Sequence, residues 1–288
     1  MYKFARYLFT ILLLTSCGKG LDQNASKSVF RMNLPDGLPT LDPAYASGQA
    51  SIWMCGQLFD GLVQFDRDLN IQADLARSWE ILDSGKTYLF HLREDVWFHS
   101  HAAFGQDSTR KFVAKDVQFS FERICTPAVA ARGFWIFNGK IKGINAFREG
   151  STKHISGFEV LNDSTFAIHL EQPFPPFLGT LAMAYAYVVP QEVTAKYGKD
   201  FRSHPVGTGP FRFKSWNEGA SLILLRNARY FERDAEGKGL PYLDAVQVRF
   251  IREKLTEFRE FLQGKLHFVN GLDKSTKDEI FLPDGSIK

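Results

Sequence analysis

"TLDPAYASGQASIWMCGQLFDGLVQFD" fills residues 40–66. Its first half is rich in turn formers, with Asp42, Pro43, Ser47 and Gly48 close together, each able to hold or tolerate turn backbone. Ser47 is placed to cap a helix over 48–60, because its hydroxyl can accept from an otherwise unpaired N-terminal amide. Ile52, Cys55 and Phe59 recur at helical spacing, which predicts one apolar face. Gly61 stands where a helix takes its left-handed terminating residue.

Outward from this stretch, "VFRMNL" (29–34) reads as a strand and "PDGLPTLDP" (35–43) as loop. Downstream, "TYLFHL" (87–92) is rich in β-formers, and "VWF" (96–98) continues in that style. Residues 99–114 are a polar excursion, and "KDVQFSFERI" (115–124) is helical with Val117, Phe121 and Ile124 on one face. "FEVLND" and "STFAIHL" (158–170) read as two strands about an Asn-Asp turn, and "PFPPFLGTLA" (173–182) as a short helix after prolines. "YAYVVP" (185–190) is expected to be a strand with Tyr185 and Tyr187 on one face. "VGTGPFRFKSW" (206–216) is a turn leading into a strand; "SLILLRN" (221–227) and "LDAVQVRFI" (243–251) are further strands. "LTEFREFLQG" (255–264) is a helix with Leu255, Phe258 and Leu262 on one face, and "KLHFVNGL" (265–272) a closing strand. The class is mixed α/β, with strands outnumbering helices, no internal repeat and no regular βαβ alternation.

Composition fits a soluble protein with ample core, since 44% of the 288 residues are hydrophobic and 23% charged. A net charge of +3 with no basic run interleaved with aromatics argues against nucleic acid as a partner. The front of the chain differs. Lys3 and Arg6 precede an apolar run, Tyr7 to Leu14, shorter than the ~20 residues that span a bilayer but suited to a secretory signal. Leu14-Thr15-Ser16-Cys17 resembles a lipobox, which implies cleavage before Cys17, acylation there, and anchoring worth ~0.8 kcal/mol per buried CH₂. Residues 18–28, "GKGLDQNASKS", then form a tether. Cys55 and Cys125 lie in helical segments and are expected as buried free thiols, although an exported chain permits a disulfide.

Chemistry is hard to find. No Gly-x-Ser-x-Gly, His-Glu-x-x-His or P-loop is present. His99 and His101 alternate without a third ligand nearby, so a solvated loop is expected and no metal. Asp60, Asp66 and Asp68 read as turn caps or solvated charge. Gly207-Thr208-Gly209-Pro210 fixes a tight turn by positive φ or close approach; it precedes a strand, so it is no phosphate cradle. No cofactor is expected, and these absences argue against an enzyme only together with the resemblance that follows.

Seven blocks in one order carry a family resemblance. They are residues 40–66; "IQADLARSWEI" with "TYLFHLREDVWFH" (71–99); "AKDVQFSFERI" (114–124); "STFAIHLEQPFPPFLGTLA" (164–182); "VGTGPFRFKSW" with "LLRNARYF" (206–231); "PYLDAVQVRFI" (241–251); and "FREFLQGKLHFV" (258–269). Together they resemble extracytoplasmic solute-binding proteins of family 5, the oligopeptide, dipeptide and nickel type that serve ABC importers. The loop "HSHAAFGQDSTRKF" (99–112) is longer than the family's usual text.

The resemblance implies a type II periplasmic-binding-protein fold of two lobes about a cleft. It assigns 29–49 and 170–250 to lobe one, 50–169 to an inserted subdomain and 251–288 to the start of lobe two. Family members are roughly twice as long, as expected of chains that split into lobes, so most of lobe two is expected to be missing and binding impaired. The loop Asp42, Pro43, Ala44, Tyr45 and Ala46 would border the cleft and pair with an extended peptide by main-chain hydrogen bonds; a helix-capped turn alone also explains it. Tyr185 and Tyr187 would line the same cleft, or simply join the core. Implied partners are a peptide or other small solute such as nickel, ABC permease subunits, and a membrane through lipid on Cys17, with the protein in the cell envelope facing the periplasm or exterior. A membrane-anchored interaction module built on lobe one alone is the alternative.

Overall fold

Two four-stranded sheets and a small hairpin organise the computed structural model, which describes residues 28–286 and 288. The expected signal, Cys17 and nearly all of the tether lie outside the described residues. The strands are β1 (Val29–Asn33), β2 (Val63–Phe65), β3 (Ile71–Ala73), β4 (Ala76–Leu82), β5 (Thr87–Leu92), β6 (Phe158–Asn162), β7 (Thr165–His169), β8 (Phe211–Asn217), β9 (Ser221–Arg226) and β10 (Ala245–Arg249). The helices are α1 (Gln49–Leu58), α2 (Ala114–Cys125), α3 (Ile144–Arg148), α4 (Phe177–Leu181), α5 (Gln191–Tyr197), α6 (Lys254–Leu262) and α7 (Lys277–Ile280).

The first sheet runs β1-β10-β9-β8. Its β1–β10 pairing is parallel and joins segments far apart in sequence, with Val29 opposite Ala245 and Asn33 opposite Arg249. Asn33 locks that register, because its side chain accepts from Ile251 N at 2.7 Å and donates to Ile251 O at 2.9 Å. The second sheet, β4-β5-β7-β6, is wholly antiparallel and drawn from residues 76–169. The hairpin β2–β3 turns on Asp66, whose Oδ1 accepts from Asp68 N and Asn70 N, each at 2.8 Å. This bears out the cap expected at Asp66.

Each sheet has its own core. Under the second sheet, Phe121 of α2 packs against Phe137 at 4.8 Å and Phe158 at 5.4 Å between ring centroids. Such pairs add ~0.5–1.5 kcal/mol to the burial of the rings themselves. Against the first sheet lie α1, the start of α5 and Phe201. The expected inserted unit, 50–169, begins at the head of α1, yet Met54, Cys55 and Leu58 belong to the first sheet's core. α1 therefore packs with the first sheet rather than the second.

The mixed α/β class is as expected, and several local expectations are corrected. Ser47 is not the N-cap of α1; Gly48 holds that position, and no side chain caps the helix. Ile52 is 41% exposed while Ser51 and Met54 are buried, so the buried face is rotated from the expected one. Gly61 does not terminate the helix. The extended Phe59 does, and Gly61 N donates to Asp74 Oδ2 at 3.0 Å. Residues 96–98 and 265–272 make only isolated bridges, Trp97 with Lys111 and Phe268 with Met32. Residues 184–186 form a 3₁₀ turn rather than a strand. On α6, Phe258 is buried but Leu262 is 61% exposed.

Cys55 and Cys125 are free and buried, as expected. Among the described residues no helix is long and apolar enough to cross a membrane. Apolar side chains after α6 are open to solvent, including Phe268, Leu272 and Leu282.

Candidate functional site

Three 3₁₀ turns from distant parts of the chain converge on one face: Pro43–Tyr45, Arg132–Ile136 and Ala184–Ala186. The first owes its shape to Asp42. Its Oδ1 accepts from Ala44 N at 3.1 Å, and Pro43 occupies the first helical position, where its missing N–H is not needed. Arg123 of α2 grips the same carboxylate with both terminal nitrogens, at 2.9 and 2.5 Å. Both side chains are nearly buried, at 3% exposure for Asp42 and 13% for Arg123. A paired, bidentate geometry makes this burial tolerable.

Most of the loop expected to meet ligand is packed inward, while Asp42 and Tyr45 also line a cavity of about 760 Å³ with Arg123. Asp42, Pro43, Ala44 and Ala46 are buried. Tyr45 is half-buried, and its hydroxyl donates to Val129 O, fastening the first turn to the segment before the second. The open positions come next. Ser47, Gly48 and Gln49 are exposed, and the uncapped N-terminus of α1 begins there. Unpaired amides and the helix dipole give that end partial positive charge.

The second turn supplies the side chains. Arg132 Nη1 donates to Ser47 Oγ at 3.2 Å, which brings a guanidinium beside the head of α1. Trp135 is 49% exposed and meets Tyr185 of the third turn edge to face, 6.4 Å between centroids. Gly133 makes this contact possible: a Cβ there would lie 2.6 Å from the Tyr185 Cβ. Gln49 extends the face toward the chain's end by accepting from Asn270 Nδ2 at 2.9 Å. The result is a wall with an aromatic plate, one guanidinium and a helix N-terminus. Such a surface suits a solute carrying a carboxylate and an apolar group.

Tyr185 and Tyr187 do not share a face. Tyr185 joins the wall, whereas Tyr187 turns into a separate cavity of about 420 Å³ with Asp60, Asp74 and Tyr230. Sequence reading missed Arg132 and Trp135, and took Ser47 only as a cap. Their signal was slight, a Gly-Phe-Trp run in a segment with no periodicity.

The remaining expected features resolve as structure. His99 is buried between Gly207 N, which donates to its Nδ1 at 3.3 Å, and Gly209 O, 2.9 Å from its Nε2. Burial pushes its pKa down to about 4. His101 instead contacts the Tyr197 hydroxyl at 3.1 Å. Asp60 is not solvated charge. It is buried, accepts from Thr208 Oγ1 at 2.5 Å, and burial pushes its pKa up to about 7. Both glycines of the Gly207-Thr208-Gly209 turn are there for close approach, since a Cβ on Gly207 would stand 2.1 Å from Leu58 O and one on Gly209 2.5 Å from Leu58 C.

A family model described as bacterial extracellular solute-binding proteins, family 5 Middle, matches residues 70–285. The chain belongs to that family. Among curated relatives it resembles glutathione-binding protein GsiB of Salmonella typhi, 29% identical over 230 residues, 80% of this chain and 40% of that one. Among solved structures it resembles the DppA periplasmic binding protein of Helicobacter pylori in complex with the peptide STSA, with 30% identity and a TM-score of 0.71 over 88% of this chain and 49% of that one. The oligopeptide-binding OppAIV of Borrelia burgdorferi shares the fold, with a TM-score of 0.77 at 24% identity over 88% and 49% of the two chains. This family 5 chain thus spans about 40% of the length of the curated relatives it matches and about half that of the solved structures.

Proposed function

We propose that this chain presents one wall of a solute cleft that receives short peptides, as the binding component of an ABC importer whose permease subunits are separate chains. Family membership supports solute binding. The names of the glutathione-binding relative and of the DppA complex with STSA support a peptide. The observation that carries the reading is the exposed Trp135 set beside Arg132 and the uncapped head of α1. The guanidinium and the helix N-terminus pair with a peptide carboxylate, and the indole packs on a side chain. The Leu14–Cys17 motif supports a lipid anchor on the outer side of a membrane.

One wall cannot enclose a ligand, so affinity for the isolated chain is expected to be weak, with Kd near or above ~1 mM, about 4 kcal/mol of binding. Titration of the chain with glutathione and with the peptide Ser-Thr-Ser-Ala, followed by NMR shifts of the tryptophan indole signals, tests this. Trp135→Ala or Arg132→Gln should weaken the binding severalfold. Micromolar binding would overturn the one-wall reading, and identical titrations in both variants would remove the wall as the site. For the anchor, Cys17→Ser should release the protein from the membrane fraction; unchanged membrane association would overturn it.

A further inference from the structure

The cavity that takes Tyr187 shares no residue with the peptide wall. It opens between the C-terminal half of α1, the bend after β3 and the segment around Tyr230. Three carboxylates line it, Asp60, Asp74 and Glu232, and no Lys, Arg or His does. Asp60 is 5% exposed and Asp74 3% exposed. Asp60 is satisfied from within, by Thr208 Oγ1 at 2.5 Å and by Tyr230 OH at 3.3 Å. Glu232 Oε1 accepts from Gln64 Nε2 at 2.9 Å. Asp74 is different. Its Oδ2 accepts from Gly61 N, but its Oδ1 is buried with no hydrogen-bond partner.

A bare, buried carboxylate oxygen is rare, because desolvation penalises it heavily. Arg93 makes no hydrogen bond to that oxygen and eases its burial only through space: Arg93 Nε donates to the Asp74 backbone oxygen, and its guanidinium lies over Phe231. Tyr187, Tyr230 and the exposed Tyr242 add aromatic walls to the cavity. Among the described residues no cluster of His, Cys, Asp and Glu has an arrangement able to hold a metal ion. Carboxylates flanked by aromatic faces instead suit a cationic group on an organic arm.

We propose that this cavity binds a small organic cation through an ammonium or guanidinium group, with Asp74 Oδ1 as its acceptor, Glu232 as second countercharge and Tyr187 and Tyr230 as its aromatic walls. Desolvation raises the pKa of both aspartates, Asp74 well above its ordinary value, with repulsion from Asp60 added at Asp74 and from Glu232 at both.

The test is an NMR titration of the whole chain with agmatine at pH 8, reading Gly61 N–H, the Gln64 side-chain amide and Thr208 N–H. Saturable shifts at all three are expected. Asp74→Asn keeps an acceptor for Gly61 N and should raise the apparent Kd at least tenfold. Glu232→Gln should raise it severalfold and guards against a misfolded first variant. No saturable shift up to ~50 mM agmatine, a very weak affinity, overturns the proposal. So do equal affinities in the wild type and both variants, or equal shifts with calcium chloride in place of agmatine.

Discussion

Asp42 and Asp74 are both buried carboxylates beside a cavity, and the chain treats them in opposite ways. Asp42 receives a bidentate guanidinium and a backbone amide, and in return it holds the turn from which the peptide wall is built. Asp74 receives one backbone amide and leaves its other oxygen bare. Burial alone therefore does not tell structural charge from charge kept for a ligand. What separates the two is whether the protein itself supplies the countercharge.

Breaking the Asp42 pair should have the largest effect. Arg123→Ala leaves a buried carboxylate uncompensated, which costs about 3–5 kcal/mol and should appear as a large fall in the urea midpoint. Adding Asp42→Asn should recover part of that loss; a double variant as unstable as the sum of the singles would mean that the pair is not coupled.

A smaller effect follows from pH. Asp60, raised to about 7, binds its proton more tightly in the fold, so its contribution to stability is present in acid and lost as pH rises through 7. His99, lowered to about 4, acts with the opposite sign: its contribution is present above its ordinary range and lost as pH falls toward 4. The two groups grip the same Gly207-Thr208-Gly209 turn from either side. Between pH 4.5 and 7, Asp60→Asn should therefore make the chain more acid-sensitive than wild type. His99→Gln should make it more alkali-sensitive. Urea denaturation across that range measures both slopes, and parallel curves would refute the pairing.

The fold should notice Asp74→Asn least among the carboxylates. The Gly61 N–H keeps an acceptor and no ion pair is lost, so the change should stay within about 1 kcal/mol. Trp135→Ala should be smaller still, within about 0.5 kcal/mol, because half of that side chain already faces water. Thermal melts of both variants check the ranking.

These side chains also mark the limit of what the sequence discloses. β1, β5 to β10, and α2 with its Val117–Phe121–Ile124 face were legible, because their patterning reflects burial that each segment carries by itself, whereas β2, β3 and β4 were not. The inward aim of Asp42 was not, since Arg123 lies 81 residues away and nothing local names it as a partner. Asp60 looked like a solvated turn residue because the Thr208 that buries it is 148 residues distant. Tyr185 and Tyr187 alternate as a strand would, but a 3₁₀ turn over 184–186 sends Tyr185 to the wall beside Trp135 and Tyr187 into the cavity with Asp60. Arg132 and Trp135 sit in a turn with no periodic signal, so only the fold reveals that they meet the head of α1.

The closing of the first sheet has a consequence in time. Ser28 and Asp244, which exchange hydrogen bonds at the foot of the β1–β10 pair, are 216 residues apart. At ~5–20 residues per second, β1 leaves the ribosome roughly 10–40 seconds before its partner exists. The second sheet has all its strands well before then and can settle alone. For that interval "VFRMN" is an orphan with a full row of backbone groups to share. Its fidelity then depends on what keeps other strands away while it waits.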